Sequence, residues 1–410
     1  MNLTMNEKNP NPKLADVSSS ASGGGPSQQA AILVVDDSRT MRLGLIRALN
    51  ALGFRNISEA ANGKQALELV LTKPFDLMLL DIEMPEMNGM EVLVAVKANR
   101  DLSELPVIVI SASEQMESAV QCIESGAEDF LPKPFNPILL RARVTTSLEK
   151  KRLRDLERQQ LASELRVARE IQMGMLPHDF AGLEHAYGVR FGAVLEPARE
   201  VGGDLYGVCA AGPERLVVFL GDVSGKGIPA SMFMVRAISL ARLLARDIAE
   251  PERILARLND ELAIDNPSGM FVTFLCAMFE PKSGRLMIAN GGHCRPVLLP
   301  AVGAPHWTVK NLGTALGFEP GLEFERTELT LHAGDTLILY SDGVSEAFNP
   351  QDECYGNERL LSEASGFAGQ SAPAITAGLL QKVRAFAGSA PQSDDIAIMA
   401  LKVNGKESPT

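Results

Sequence analysis

Five polar residues close short apolar runs in the first third of the sequence: Asp36 and Asp37 after ILVV, Asp81 after LMLL, Ser111 after PVIVI, and Lys133 in LPKPF. Three carboxylates gathered at one rim repel each other unless a hard divalent cation holds them, so Mg2+ is implied by charge alone. Asp81 then serves as the nucleophile toward a phosphoryl group. A carboxylate can make that attack when the phosphoryl charge is spread over Mg2+, the Lys133 ammonium and the Ser111 hydroxyl. The Lys133-Pro134 bond, being X-Pro, can adopt the cis form and so aim the lysine.

A second set of acids lies far downstream: Asp204 in EVGGDLYG, Asp222 in FLGDVSGKG, Asp342 in LILYSDGVSEAF, and the pair Asp394 and Asp395 in QSDDIAIMAL. FLGDVSGKG invites a phosphate-loop reading, but only three residues separate Gly221 from the Gly-Lys pair, and Gly227 stands where the hydroxyl residue belongs. Asp222 inside the turn would repel a bare phosphate and suits a metal instead. Each of these acids adjoins Gly or Ser and a strongly apolar run, where an unpaired buried carboxylate costs on the order of several kcal/mol. A shared cation cluster resolves that cost. No His or Cys accompanies the acids in a ligand-like pattern, so oxygen-only ligation points to Mg2+ or Mn2+ rather than zinc. Two such ions about 3.5 to 4 Å apart could polarise a phosphate and deprotonate a bridging water. His293 in NGGHC can be read as a general acid, and more simply as a histidine that bonds a turn. Lys226 can be read as a phosphate contact or as a solvated side chain.

The elements that must position these residues fall into blocks. Residues 1–29 are rich in Ser, Gly, Pro and Asn and are expected to be a flexible tail. Over 31–148, continuous apolar strands alternate with amphipathic helical stretches, the signature of a doubly wound parallel sheet covered on both faces. Residues 149–176 read as a helical linker, in which Leu161, Leu165, Ala168, Ile171 and Met175 form a coiled-coil-like stripe, with Leu148, Leu153 and Leu156 out of phase upstream; the two readings are a solvated spacer helix and, better supported, a parallel helix that makes a homodimer. From 177 to 403 short strands and grouped helices predict an α+β sandwich. The chain as a whole is therefore multidomain α/β. A net charge of −12 excludes an overall field for nucleic acid or anionic lipid, and the five scattered cysteines argue against a disulfide framework or a thiolate zinc site. No apolar run approaches the roughly 18 residues that span a bilayer. The expectation is a cytoplasmic chain with no membrane and no nucleic-acid partner.

The strand-end residues of 31–148, with DIEMPEMNG and its Met84, Pro85 and Gly89, resemble the receiver domain of two-component response regulators. That resemblance implies a cognate histidine kinase or phosphotransfer protein, phosphorylation on Asp81, and Ser111 with Phe130 as a switch pair, although Phe130 by itself reads as a core residue. The set GGD, GDVSGKG, NGGH, SDG and SDD, together with AREIQMGMLP, resembles the SpoIIE-type branch of the PPM (protein phosphatase 2C-like) metal-dependent Ser/Thr phosphatases. It implies two Mn2+ or Mg2+ ions bridged by Asp222, with the Val223 carbonyl, Asp204, Asp342 and Asp394 completing the site and Asp395 the second choice of its pair. The implied substrate is a phosphorylated STAS-type anti-sigma-factor antagonist in partner-switching regulation. One departure is Gly207, where the family commonly has a second acid. The alternative is a non-catalytic adaptor that uses a phosphatase-like domain to bind or deliver a sigma factor. A DNA-binding regulator is disfavoured, because no recognition-helix unit or basic face follows the receiver.

Overall fold

The structure, a computed structural model, describes residues 29–112 and 116–404. The tail expected over 1–29 therefore lies outside the described residues apart from Gln29. The chain divides into two units between Leu161 and Ala162.

Strands without polar alternation need apolar cover on both faces. In the first unit that cover comes from helices between parallel strands: β1 (Ile32–Val35), α1 (Arg39–Ala51), β2 (Ile57–Ala60), α2 (Gly63–Thr72), β3 (Leu77–Asp81), α3 (Gly89–Ala98), β4 (Val107–Ala112), α4 (Met116–Glu124) and β5 (Asp129–Lys133). The sheet order is β2-β1-β3-β4-β5. Leu33, Val35 and Leu80 pack with Val92 and Val96 on one face, and Val34, Leu79 and Ile110 with Leu45 and Leu140 on the other. Side-chain caps start the helices: Ser38 accepts from the Met41 N–H, and Asn88 forms a reciprocal capping box with Glu91.

The last helix, α5 (Pro137–Gly174), runs unbroken for 38 residues and includes most of the expected linker. The expected stripe is only partly available on it. Leu161 and Ile171 are exposed, Leu165 and Ala168 are half-buried, and Met175 lies past the helix end and packs into the core of the second unit. Ile138, Leu153 and Leu156 are exposed on α5 in the first unit, and Val167 and Ile171 in the second.

The second unit contains α6 (Ala181–Tyr187), β6 (Val189–Glu196), β7 (Leu205–Ala210), β8 (Leu216–Val223), α7 (Ile228–Asp247), α8 (Pro251–Ala263), β9 (Val272–Glu280) and β10 (Arg285–Gly291). There follow β11 (Val297–Leu299), β12 (His306–Trp307), β13 (Arg326–Thr330), β14 (Thr336–Tyr340), α9 (Asp342–Ser345), α10 (Asn357–Ala364), α11 (Ala372–Ala387) and β15 (Ile396–Val403). Two antiparallel sheets result, β13-β10-β9-β8-β7 and β12-β11-β14-β15-β6. Val218 and Phe274 of one sheet share a core with Leu337 and Met399 of the other. The helices α7 and α8 cover the first sheet, and α11 covers β6 and β15. This is the expected α+β sandwich.

Contrary to the sequence reading, α7 is by length and composition long and apolar enough to cross a membrane. Eight of its residues, among them Phe233, Met234 and Ile238, are buried in this unit. The five cysteines are all free.

Candidate functional site

In the first unit the parallel strands deliver their carboxyl ends to one rim, where ligands of such sheets bind. Asp36 and Asp37 follow β1, Asp81 ends β3, Ser111 is next to last in β4, and Lys133 ends β5. Carboxylate oxygens of Asp36, Asp37 and Asp81 lie within 4.8 Å of one another, the only such trio among the described residues. Asp36 and Asp81 are buried, while Asp37 is exposed. The Lys133 ammonium stands 2.7 Å from Asp81 Oδ1 and 3.1 Å from Asp36 Oδ2. Burial raises the Asp81 pKa, Asp36 adds to the rise, and Lys133 opposes both. Burial works against the charge on Lys133, but its two carboxylate partners prevail and its pKa is raised. The Lys133-Pro134 peptide is cis. Gly89 packs against the Asp81 backbone, where a Cβ would lie 2.0 Å from the Asp81 carbonyl oxygen. Phe130 is half-buried, with the Arg143 guanidinium 5.8 Å from its ring centre.

The second unit brings its acids together from strand ends that are distant in sequence. Asp204 immediately precedes β7, Asp222 and Val223 end β8, Asp342 opens α9 after β14, and Asp394 and Asp395 precede β15. Asp204 is buried, its Oδ2 accepts a hydrogen bond from the Ser341 hydroxyl at 2.6 Å, and its Oδ1 has no partner. Burial, then the charges of Asp342, Asp394 and Asp395, push Asp222 up to about 8. Asp342 rises to about 6 through burial, Glu346 and Asp394. Asp204 is also raised well above the ordinary carboxylate range, by burial first and then by Asp222. An orphaned buried oxygen and carboxyls that destabilise one another's charge are what a cation would relieve, so this donor set fits Mg2+ or Mn2+. The second set is looser than the first, since no three of its acids bring carboxylate oxygens within 4.8 Å of one another.

The motif glycines have a packing reason. A Cβ on Gly203 would meet the Val223 carbonyl oxygen at 2.6 Å, and one on Gly343 would meet the Asp395 carbonyl oxygen at 1.9 Å. Gly225 and Gly227 have φ of 82° and 76°, which turn the chain into α7 with Pro229 in its first turn. Gly207 pairs with Phe219 across β7 and β8, and a Cβ there would lie 2.2 Å from the Phe219 ring. The room that a second acid would need is filled by an aromatic ring.

Asp394 and Asp395 differ sharply in surroundings. Both Asp395 oxygens are taken by backbone donors: Oδ1 by Ala198 N–H at 2.8 Å and Oδ2 by Gly203 N–H at 2.7 Å. The Asp394 side chain is 39% exposed and pairs with the Lys226 ammonium at 3.0 Å. Lys226 is thus neither freely solvated nor aimed at open space. His293 also departs from the simpler reading, because the Asn290 amide closes its turn, accepting from His293 N–H at 2.7 Å and donating to its carbonyl at 2.9 Å. The imidazole Nδ1 instead meets the Thr273 hydroxyl at 2.7 Å, and burial pushes its pKa down to about 4. Sequence reasoning missed Gln172. Its side chain, buried at the end of α5, bonds the backbone of Gly202.

Comparison with known proteins adds identity to this geometry. The response regulator receiver domain model matches residues 32–145. Chemotaxis protein CheY of Pseudomonas aeruginosa is 34% identical over 119 residues, which cover 29% of this chain and 96% of CheY. The chain belongs to the response regulator receiver family. Its C-terminal part matches the stage II sporulation protein E (SpoIIE) model over 212–404, a stretch that begins after Asp204. Protein IcfG of Synechocystis sp. is 28% identical over 269 residues, covering 59% of this chain and 42% of IcfG. Response regulator MprA of Mycobacterium ulcerans is 36% identical over 126 residues, covering 31% of this chain and 53% of MprA. The chain thus spans about half the length of these two relatives. The SiaA-PP2C domain of Pseudomonas aeruginosa has the same fold, with a TM-score of 0.54 at 19% identity, covering 60% of this chain and 98% of that domain. A receiver is joined here to a domain that matches the SpoIIE model and has a PP2C-like fold.

Proposed function

We propose that this receiver, phosphorylated on Asp81, controls a metal-dependent phosphoserine and phosphothreonine protein phosphatase built around Asp222. The observation that carries the reading is the set of buried carboxyls in the second unit, where Asp222 is pushed up to about 8 by burial and by acids from two other segments. A domain that only bound a sigma factor would gain nothing from carboxyls whose charges oppose one another, and this disfavours the adaptor alternative.

In the receiver, the Asp81 carboxylate oxygen attacks the phosphorus of a phosphohistidine on a kinase or phosphotransfer protein. The O–P bond forms as the N–P bond breaks. Lys133 and Ser111 take up charge on the phosphoryl oxygens, and Asp36 and Asp37 with Asp81 hold Mg2+. In the phosphatase, Asp204, Asp222, Asp342, Asp394 and the Val223 carbonyl hold two Mn2+ or Mg2+ ions, which supply charge neutralisation and a water of lowered pKa. Asp395 positions the loop that carries Asp204. The substrate class is a phosphorylated STAS-type antagonist of an anti-sigma factor, by resemblance to the SpoIIE-type family. Exposed Val167 and Ile171, in the part of α5 that belongs to the second unit, support a homodimer through this helix. Monomeric mass in light scattering of the full chain, phosphorylated and not, would remove that part. The setting is the cytoplasm, where histidine kinases deliver phosphoryl groups.

The direct test is Mn2+-dependent phosphate release from a phosphoserine peptide by the wild type and by Asp222→Asn. Release by the wild type that is lost in the variant supports the reading. Equal inactivity of both at saturating Mn2+, with the receiver phosphorylated and unphosphorylated, overturns it.

A further inference from the structure

Beside Asp342 the second unit has a cavity of about 420 Å3, walled by His293, Arg295, Trp307, Tyr340 and Glu346 among others. Of its wall the phosphatase reading uses only Asp342. Two features mark it as a place for a ligand group rather than a packing gap. Arg295 is exposed and makes no ion pair among the described residues, and none joins it to Glu346, the other exposed charge of the wall. Trp307 and Tyr340 supply an aromatic side, their ring centres 6.3 Å apart. A guanidinium beside an aromatic surface takes a carboxylate with direction as well as charge.

We propose that this pocket holds an acidic side chain next to the phosphorylated residue of the protein substrate, with Arg295 as the specificity-determining residue. The inference rests on the phosphatase reading for its substrate and on the pocket's own geometry for its chemistry. Its sign follows from the pocket's charges. Asp342 and Glu346 lie one helical turn apart on the wall, and Arg295 is the one cation among its lining residues. A lysine from the substrate would compete with a cation for those acids. A carboxylate is drawn instead to the one cation of the wall and leaves the acids to hold metal.

Trp307 is the only tryptophan in the chain, so its fluorescence reports this pocket alone. Two phosphoserine peptides, alike except that glutamates or lysines flank the phosphoserine, are titrated into the full chain with Mn2+ present. Emission and phosphate release are both followed. The Glu-flanked peptide is expected to shift Trp307 emission at about tenfold lower concentration than the Lys-flanked one, as a charge-assisted pair predicts, and Arg295→Glu to reverse that order. Unchanged emission at saturating hydrolysis, equal binding of the two peptides, or the wild-type order retained in Arg295→Glu overturns the proposal. Charge-selective binding without phosphate release supports the pocket and overturns the phosphatase reading, so the two failures are distinct.

Discussion

The side-chain amide of Gln172 is bonded to both backbone groups of Gly202: its Nε2 donates to the carbonyl at 2.6 Å and its Oε1 accepts from the N–H at 3.2 Å. Gln172 belongs to the last turn of the helix that begins at Pro137, and Gly202 stands two residues before Asp204. The helix end and the loop that carries Asp204 are thereby tied by a buried, reciprocal contact. A displacement of one has to break the bond or move the other, which gives the helix a physical hold on the second centre.

Replacing Gln172 by Ala leaves the Gly202 N–H and carbonyl buried without partners, a cost of about 1 to 3 kcal/mol. The expected outcome is a lower melting temperature together with weaker Mn2+ binding, measured by calorimetry on the full chain. Wild-type metal affinity in Gln172→Ala would show that the contact is only structural.

The two neighbouring acids before the last strand should separate in their effects. Asp395→Asn turns one acceptor into a donor facing the N–H of Ala198 or Gly203, and is expected to cost about 2 kcal/mol or more of folding stability in urea. Asp394→Asn removes a half-exposed charge paired with Lys226, a contact worth at most about 1 kcal/mol, and should instead weaken metal binding. The reverse pattern would exchange the assigned roles.

Stability without metal should fall as pH rises between about 6 and 8. Asp222 is pushed up to about 8 in the fold by burial and its neighbours, against about 3.9 for an unfolded aspartate. Between those values the native state binds more protons than the unfolded state, so raising the pH draws the equilibrium toward unfolding. Melting in EDTA should show this decline, while Mg2+ should cancel it and Asp222→Asn should flatten it. A melting temperature that stays level or climbs from pH 6 to 8 in EDTA would contradict the buried-charge description.

Much of this was legible from sequence because it is local. A carboxylate after a four-residue apolar run, or a glycine beside an acid, carries its signal within a few positions, and Asp36, Asp81, Asp222 and Asp342 all stand at strand or helix ends as expected. What stayed hidden depends on partners far away in the chain. Asp395 is pinned by the N–H of Gly203, 192 residues distant, and Lys226 bonds the Ser393 carbonyl across 167 residues. The order of Asp394 and Asp395 was set by resemblance, whereas the two backbone donors that claim Asp395 belong to the fold. Gly207 looked like a lost acid and is a seat for the Phe219 ring. The apolar length of α7 went unnoticed because polar residues such as Arg236 and Arg242 interrupt its run. Arg236 Nη2 donates to the Ile264 carbonyl at 2.9 Å, and Arg242 Nη2 to the Met175 carbonyl at 2.6 Å.

If the state of Asp81 sets the rate of the second unit, one comparison shows it most directly. Phosphate release from a phosphoserine peptide is measured in Mn2+ for the wild type and Asp81→Asn, each with and without a small-molecule phosphoryl donor. The expected result is a rate change of about fivefold or more in the wild type, in the range of typical coupling between two sites, and no change in Asp81→Asn. An unchanged wild-type rate with Asp81 fully phosphorylated, or an equal response from Asp81→Asn, would contradict it.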